Sequence, residues 1–126
     1  MADYKTIIEH WFMLAGGGGL VLPDGWFGRP NDNLHQLTYV ETRPHKLLIE
    51  LDSLLLLVIT DLSNIRVEKS ALVLTDFSQC VFDWQEYGSA KPNVSIYHSG
   101  EIRMIPPLGT SISGSTLAKI ALLSNK

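Results

Sequence analysis

The sequence has one cysteine, no cluster of basic residues and no long hydrophobic run. A lone Cys80 excludes an intramolecular disulfide and suits a reducing compartment. The 10 lysines and arginines are scattered in a chain of net charge −3, which argues against a nucleic-acid surface and a polybasic membrane anchor. The longest run of large aliphatic residues, 54–59, is far too short to span a bilayer. We therefore expect no nucleic acid and no membrane among its partners.

The N-terminal residues do not have the pattern of a secretory leader. Asp3 makes this segment acidic, and Glu9 and His10 interrupt its apolar stretch. Together with the single cysteine, this predicts a cytoplasmic protein. With 126 residues, of which 45% are hydrophobic and 18% charged, the chain is expected to fold as one domain with a real core.

Residues 3–15 carry the spacing of an amphipathic helix. One face at that spacing consists of Tyr4, Ile7, Ile8, Trp11, Phe12 and Ala15. Asp3 is placed to cap the first turn, and four glycines at 16–19 are expected to end the helix. Because a helix of about thirteen residues is marginal alone in water, it is expected to dock on a sheet.

Beyond residue 34 the pattern changes to short strands separated by close turns. No gap between them is long enough for repeated βαβ crossovers, so an antiparallel meander of about six to eight strands is expected. The predicted strands cover 37–40, 46–51, 54–60, 65–68, 72–75, 79–87, 94–98 and 101–105. Residues 20–33 are predicted to be an ordered connection without a regular element.

The strands within 46–60 are apolar at both odd and even positions, so neither of their faces suits water. One helix can cover only one side of a sheet, and an exposed aliphatic patch drives association. We therefore predict an α+β fold. An N-terminal amphipathic helix packs on a strongly curved, mostly antiparallel β-meander sheet, forming a partly open barrel or roll, with a homodimer through an apolar sheet face. The domain is predicted over 1–109, and 110–126 as a linker with a short helix or disordered tail.

The segment 23–35 combines aromatic, charged and turn-forming residues more densely than any other. Loops of this kind present binding groups on a rigid scaffold, and Trp and Arg are enriched at binding hot spots. The predicted binding residues are Trp26, Phe27, Arg29, Asp32 and His35. In the alternative interpretation, the two aromatic rings plug one end of the sheet while the two charged residues brace the loop.

The sequence has no spacing that indicates a catalytic or metal site. No pair of histidines has the i, i+4 or i, i+2 spacing of a zinc site, so no metal and no cofactor are expected. Cys80 shares its strand parity with Phe82 and Trp84 and is predicted to be a small buried hydrophobe rather than a thiolate nucleophile.

Three classes of function stay open. The least favoured is a structural subunit of a larger assembly, which would show an apolar patch that the dimer does not cover. The favoured one is a small non-enzymatic cytoplasmic protein-interaction or binding module that self-associates and meets a protein partner through the 23–35 loop. The alternative is a small-ligand-binding protein or enzyme with a pocket inside the curved sheet, lined by Asp24, Arg29, Asp32, His35 or Asp83. A deep pocket with several of these groups turned inward would favour the alternative.

Overall fold

The structure is a computed structural model that describes residues 4–27, 34–84 and 93–113. The described part contains one helix and ten strands, arranged as two antiparallel sheets of five strands each. The elements are α1 (Tyr4–Ala15), β1 (Gly19–Leu22), β2 (Gly25–Phe27), β3 (Leu37–Arg43), β4 (Lys46–Leu51), β5 (Leu55–Thr60), β6 (Asn64–Glu68), β7 (Ala71–Thr75), β8 (Gln79–Trp84), β9 (Asn93–Tyr97) and β10 (Ile102–Ile105). The predicted α+β fold is confirmed.

The two sheets differ in how their strands follow the sequence. The first sheet has the order β2-β1-β10-β7-β6, so its N-terminal hairpin pairs with the last described strand. The second sheet has the order β3-β4-β5-β8-β9 and consists mainly of neighbouring hairpins. The described antiparallel strands are thus divided between two open sheets, and these strands do not close into a barrel.

Helix α1 forms where the apolar spacing predicts it. Ile8, Trp11, Phe12 and Ala15 are buried. The helix ends at Gly16, which has a φ of 74° and donates its N–H to the Phe12 carbonyl at 2.8 Å. This left-handed closing residue is the one that the glycine run predicts.

The helix lies against β3 and is joined to the first sheet by a buried indole. Trp11 is fully buried, and its Nε1 donates a hydrogen bond to the carbonyl of Ser70, between β6 and β7, at 2.9 Å. The ring also packs on Gly18, where an added Cβ would lie 2.9 Å from ring atoms. The glycine run therefore does more than end the helix, because one of its residues makes room for Trp11.

A single hydrophobic core is shared by the helix and both sheets. Its largest fully buried side chains are Trp11, Phe82, Ile8, Leu20, Leu47, Ile49, Leu51, Leu57, Ile59, Leu72, Leu74 and Ile102. Alternate residues of β4 and β5 supply many of them, as expected for strands with one face on a core. The other face of these two strands, which includes Leu48, Leu56 and Val58, stays partly exposed in the single chain.

The prediction that 20–33 contains no regular element is wrong in its first half. Strands β1 and β2 form a hairpin there, with Gly25 at a φ of 133°. The sequence pattern does not reveal this hairpin, because the second partner of β1 is the distant strand β10, in which Ile105 lies opposite Gly19. Local turn chemistry does not reveal so distant a partner.

The C-terminal boundary at residue 109 stays a prediction. Ile112 is buried in the core, and its N–H donates to Oγ of Ser70 at 3.0 Å. The predicted final helix or tail falls after residue 113, outside the described residues. Among the described residues, no helix has both the length and the apolar character that a membrane span requires.

Candidate binding site

The structure brings Phe27 and His35 together, with ring centroids 5.9 Å apart, and places Trp26 on the opposite side of β2. Trp26, Phe27 and His35 are described, whereas Arg29 and Asp32 lie outside the described residues. Trp26 is 41% exposed on the outer side of β2, and its neighbour Phe27 is partly buried on the inner side. His35 is only 6% exposed. Successive residues of a strand point to opposite faces, so Trp26 and Phe27 belong to different surroundings.

Trp26 forms one wall of an apolar groove at the edge of the first sheet. Its ring lies over Gly19, where an added Cβ would be 2.9 Å from a ring carbon. The groove has a volume of about 210 Å³ and is lined by Gly19, Trp26, Leu34, Ile105, Pro106, Pro107 and Leu108. Leu34 and Leu108 are exposed. This lining can hold an apolar side chain.

Phe27 lies at the centre of an aromatic cluster that joins the two sheets. Its ring meets Phe82 and Trp84 edge-on, each at 5.1 Å between centroids, and the ring of His35 at 5.9 Å. Edge-to-face pairs at this separation are favourable beyond the area they bury. Phe27 therefore packs β2 against β8, in agreement with the interpretation of this residue as a plug.

His35 is held by an aspartate that the sequence did not single out. Its Nδ1 lies 2.7 Å from Oδ2 of Asp52, and the other oxygen of that carboxylate accepts the Gln36 N–H at 2.8 Å. The backbone of His35 exchanges two hydrogen bonds with Gly18, at 2.7 and 3.0 Å. Asp52 has a φ of 54°, which fits its predicted place in a tight link but does not reveal the contact with His35.

Asp52 fixes the orientation of the His35 ring, but the described residues place no nucleophile next to this pair. Because the Asp52 carboxylate only accepts, Nδ1 carries the hydrogen of this contact. Nε2 is buried and has no hydrogen-bond partner among the described residues. Neither described cavity is lined by His35.

A second cleft lies between the start of α1 and the turns that follow β3 and β5. Its volume is about 370 Å³, and its lining is Tyr4, Thr42, Arg43, His45, Lys46, Leu47, Asp61 and Leu62. Two of its polar groups are engaged, since Nε of Arg43 donates to Glu41 at 2.8 Å and His45 Nδ1 lies 3.1 Å from Oδ1 of Asp61. The cleft is open at the surface, not inside the core, and most of its lining residues are polar or charged.

Metal and thiol chemistry find little support in the described part of the chain. No group of three or more His, Cys, Asp or Glu residues there is placed to hold a metal ion. Cys80 is fully buried, and burial raises the pKa of its thiol to about 12. The prediction that this cysteine is a buried hydrophobe is confirmed, because a thiol with this pKa is a poor nucleophile at neutral pH.

Four charged side chains lie on the part of the first sheet's outer face that β6, β7 and β10 form. Arg66 contacts Glu68 and Glu101 at 3.2 and 3.3 Å, and Arg103 contacts the same two carboxylates at 3.5 and 2.9 Å. The hydrogen bond from Arg66 and the charge of Arg103 lower the pKa of Glu68. Val73 lies between the two arginines in the register and is fully buried.

The outer face of the second sheet has the opposite character. Cross-strand register defines a central row, which runs Glu41, Leu48, Val58, Val81 and Ile96. On one side lies an acidic row of Tyr39, Glu50, Leu56, Asp83 and Val94. On the other side lies a basic row of Arg43, Lys46, Thr60 and Gln79. Ile96 is 54% exposed and Val94 is 55% exposed.

Comparisons with protein families, with curated proteins and with solved structures find no match to this chain. Two surfaces of the described structure bear on its function: the Trp26 groove and the outer face of the second sheet.

Proposed function

We propose that this protein is a non-enzymatic interaction module that self-associates through the outer face of the second sheet and binds a protein partner at the Trp26 groove. The observation that carries the proposal is the central row, in which four of five side chains, from Leu48 to Ile96, are aliphatic and at least partly exposed. The outer face of the first sheet differs, since ion pairs lie over its β6, β7 and β10 strands and, among the described residues, its exposed large apolar surface is confined to the Trp26 groove.

Burial of this row supplies the driving force for self-association. Removing apolar surface from water stabilises a complex by roughly 25 cal/mol per Å², and contiguous patches of several hundred Å² mark interaction surfaces. With strands about 4.8 Å apart, the five strands of the second sheet make a face roughly 20 Å wide. A face of this size supports a weak dimer rather than an obligate one.

The alternative of an internal ligand pocket has less support. It requires polar groups turned into the interior, but in the described ranges the space between the sheets holds the apolar core. Of its proposed lining, Asp24 is exposed and Asp83 lies on the outer face of β8. His35 is buried but lines neither described cavity. Among the described residues, the surface cleft near Lys46 is of a size that accepts a small molecule.

The Trp26 groove supports a partner that inserts a single side chain. Its volume of about 210 Å³ is smaller than the pockets that enclose drug-sized molecules, and its lining is apolar. An exposed tryptophan beside a small apolar pocket is a common anchor of protein interfaces. We therefore propose an extended segment of a protein partner with one large apolar residue as the occupant. The proposal keeps the cytoplasmic location expected from the sequence.

Sedimentation equilibrium over a wide concentration range tests the self-association. The wild-type protein should approach twice its mass of 14.0 kDa at high concentration. Val58→Lys and Ile96→Lys place charge on the central row and should weaken the dimer by at least about tenfold, which is about 1.4 kcal/mol. Met13→Lys is the matched control, because Met13 is 67% exposed on α1. A wild-type protein that stays monomeric at every concentration contradicts the proposal.

Selection from a displayed peptide library tests the partner site. Peptides with an aromatic or aliphatic anchor should bind the wild-type protein and lose at least about tenfold in affinity for Trp26→Ala. Binding to Met13→Lys should be unchanged. Peptides that bind the wild-type and Trp26→Ala proteins equally well would show that the groove is not the site.

A further inference from the structure

We infer that two copies of the chain stack the outer faces of their second sheets around a two-fold axis that runs along the central row, so that Lys46 of each copy faces the partner's Glu50. This inference rests on the self-association proposed above and adds its geometry. The outer face of the second sheet then binds a second copy of the chain in one defined orientation.

The three rows make the face self-complementary in this orientation. Lys46 and Glu50 lie on the same strand, β4, two residues to either side of Leu48 in the central row. A two-fold rotation about the central row exchanges the two sides and keeps each strand over its own copy. The basic row of one protomer therefore covers the acidic row of the other, and Lys46 meets the partner's Glu50 twice by symmetry.

Both charges are available for such a contact. Lys46 is exposed and makes no ion pair within the described residues. Glu50 accepts a hydrogen bond from Thr38 Oγ1 at 3.0 Å but has no cationic partner in the described part of the chain. Their neighbours have charges of the same sign: Arg43 lies next to Lys46 in the basic row, and Asp83 lies in the acidic row with Glu50.

The same rotation places each member of the central row against itself. Leu48, Val58, Val81 and Ile96 then form the apolar centre, in sheets packed about 10 Å apart with their strands within about 30° of one another. Glu41 is the one charged member of this row, at the β3 edge, and Arg43 neutralises it with a hydrogen bond of 2.8 Å. The interface thus has an apolar centre with charged rims, the usual arrangement of a specific contact.

Other orientations make a different prediction for these two residues. A two-fold axis parallel to the strands brings the basic row onto the basic row, and edge-to-edge pairing through β9 leaves β4 out of the interface. Within one chain, Lys46 and Glu50 are four residues apart along a strand, about 13 Å, so their charges scarcely interact across solvent. Compensation between changes at these two positions is therefore specific to the proposed stacking.

A double-mutant cycle on the full chain tests the inference by sedimentation equilibrium in 0.15 M salt. Lys46→Glu and Glu50→Lys should each weaken the dimer by about tenfold, because each change turns two attractions into two repulsions. The double variant should return to within about threefold of the wild-type dissociation constant. Lys69→Glu, on the turn between β6 and β7, is the charge-matched control and should have no effect.

The outcomes separate the two levels of the proposal. If the wild-type protein dimerises and the effects of the two reversals simply add, the stacking is wrong while self-association stands. If the wild-type protein is monomeric, the proposed function fails and the stacking fails with it. Circular dichroism of each variant identifies any loss of fold, and in that event Lys46→Gln and Glu50→Gln, which remove charge without reversing it, replace the reversals. Their dimers should be weaker than wild type by about threefold each.

Discussion

The phenolic oxygen of Tyr97 donates a hydrogen bond to Oδ1 of Asp24 at 3.0 Å. Tyr97 belongs to the edge strand β9 of the second sheet, and Asp24 lies in the turn between β1 and β2 of the first. The bond therefore joins the two sheets across 73 residues of sequence.

Tyr97→Phe should destabilise the fold by about 0.5–1 kcal/mol, because it removes the hydroxyl that donates to the Asp24 carboxylate. The loss should stay small, since water can take the place of the hydroxyl at this exposed carboxylate. Urea unfolding at neutral pH measures the loss. Tyr4→Phe is the control and should change the free energy of unfolding by less, since Tyr4 lines an open cleft. An equal effect of the two changes would show that the Tyr97 hydroxyl contributes nothing specific.

The same residue predicts how stability depends on alkaline pH. Burial, with a smaller effect from the hydrogen bond to Asp24, raises the pKa of Tyr97 above its ordinary value of 10.0. A raised pKa means that the folded state holds the proton more tightly than the unfolded state. The contribution is therefore fully present below pH 10.0 and is lost as the pH rises through the folded pKa. Tyr97→Phe should flatten this part of the curve, and chemical unfolding at a series of pH values measures it.

Cys80 should resist thiol reagents in the folded protein. It is fully buried, lies opposite Tyr97 in the register of β8 and β9, and burial raises the pKa of its thiol to about 12. Because the thiolate is the reactive species, labelling requires opening of this edge of the sheet. The labelling rate with a disulfide reagent should rise by orders of magnitude in denaturant. Rapid labelling under native conditions would contradict the burial.

The local part of the fold could be predicted from the sequence, and the non-local part could not. Helix α1 and its end at Gly16 follow from spacing within a few residues. Strand β1 is harder to recognise, because only its pairing with β2 is local and its other partner, β10, lies more than eighty residues away. The same distinction applies to the candidate site. The exposure of Trp26 fits the binding role predicted for it. The contact between His35 and Asp52 could not be predicted, because it depends on the exact position of a turn that the sequence pattern locates only roughly.

Substitution of aspartate by asparagine should lower stability more in the buried His35–Asp52 pair than in the exposed His45–Asp61 pair. Asp52→Asn removes a carboxylate that holds the buried His35 ring and the Gln36 N–H, and should cost roughly 1.5 kcal/mol. Asp61→Asn alters the exposed pair with His45 and should cost less than about 0.5 kcal/mol. Both aspartates have positive φ, which asparagine tolerates, so backbone strain does not confuse the comparison. Thermal and urea unfolding of the two variants should give clearly different losses, and equal losses would contradict the structural role of Asp52.

Gly18 and Gly19 each pack on a tryptophan ring, and substitution of each by alanine tests the different roles of the two rings. The added methyl group meets the buried ring of Trp11 at Gly18 and the exposed ring of Trp26 at Gly19. An added Cβ would lie 2.9 Å from the ring of Trp11 at Gly18 and 2.9 Å from the ring of Trp26 at Gly19. Trp11 is fully buried and cannot move aside, so Gly18→Ala should destabilise the fold by about 1–3 kcal/mol. Trp26 is 41% exposed, and Gly19→Ala should instead displace its ring at a smaller cost. In unfolding experiments Gly18→Ala should be the more destabilising, whereas only Gly19→Ala should lose peptide binding at the groove while it stays folded. The reverse order of stability would contradict the assignment of Trp11 to the core and Trp26 to the binding surface.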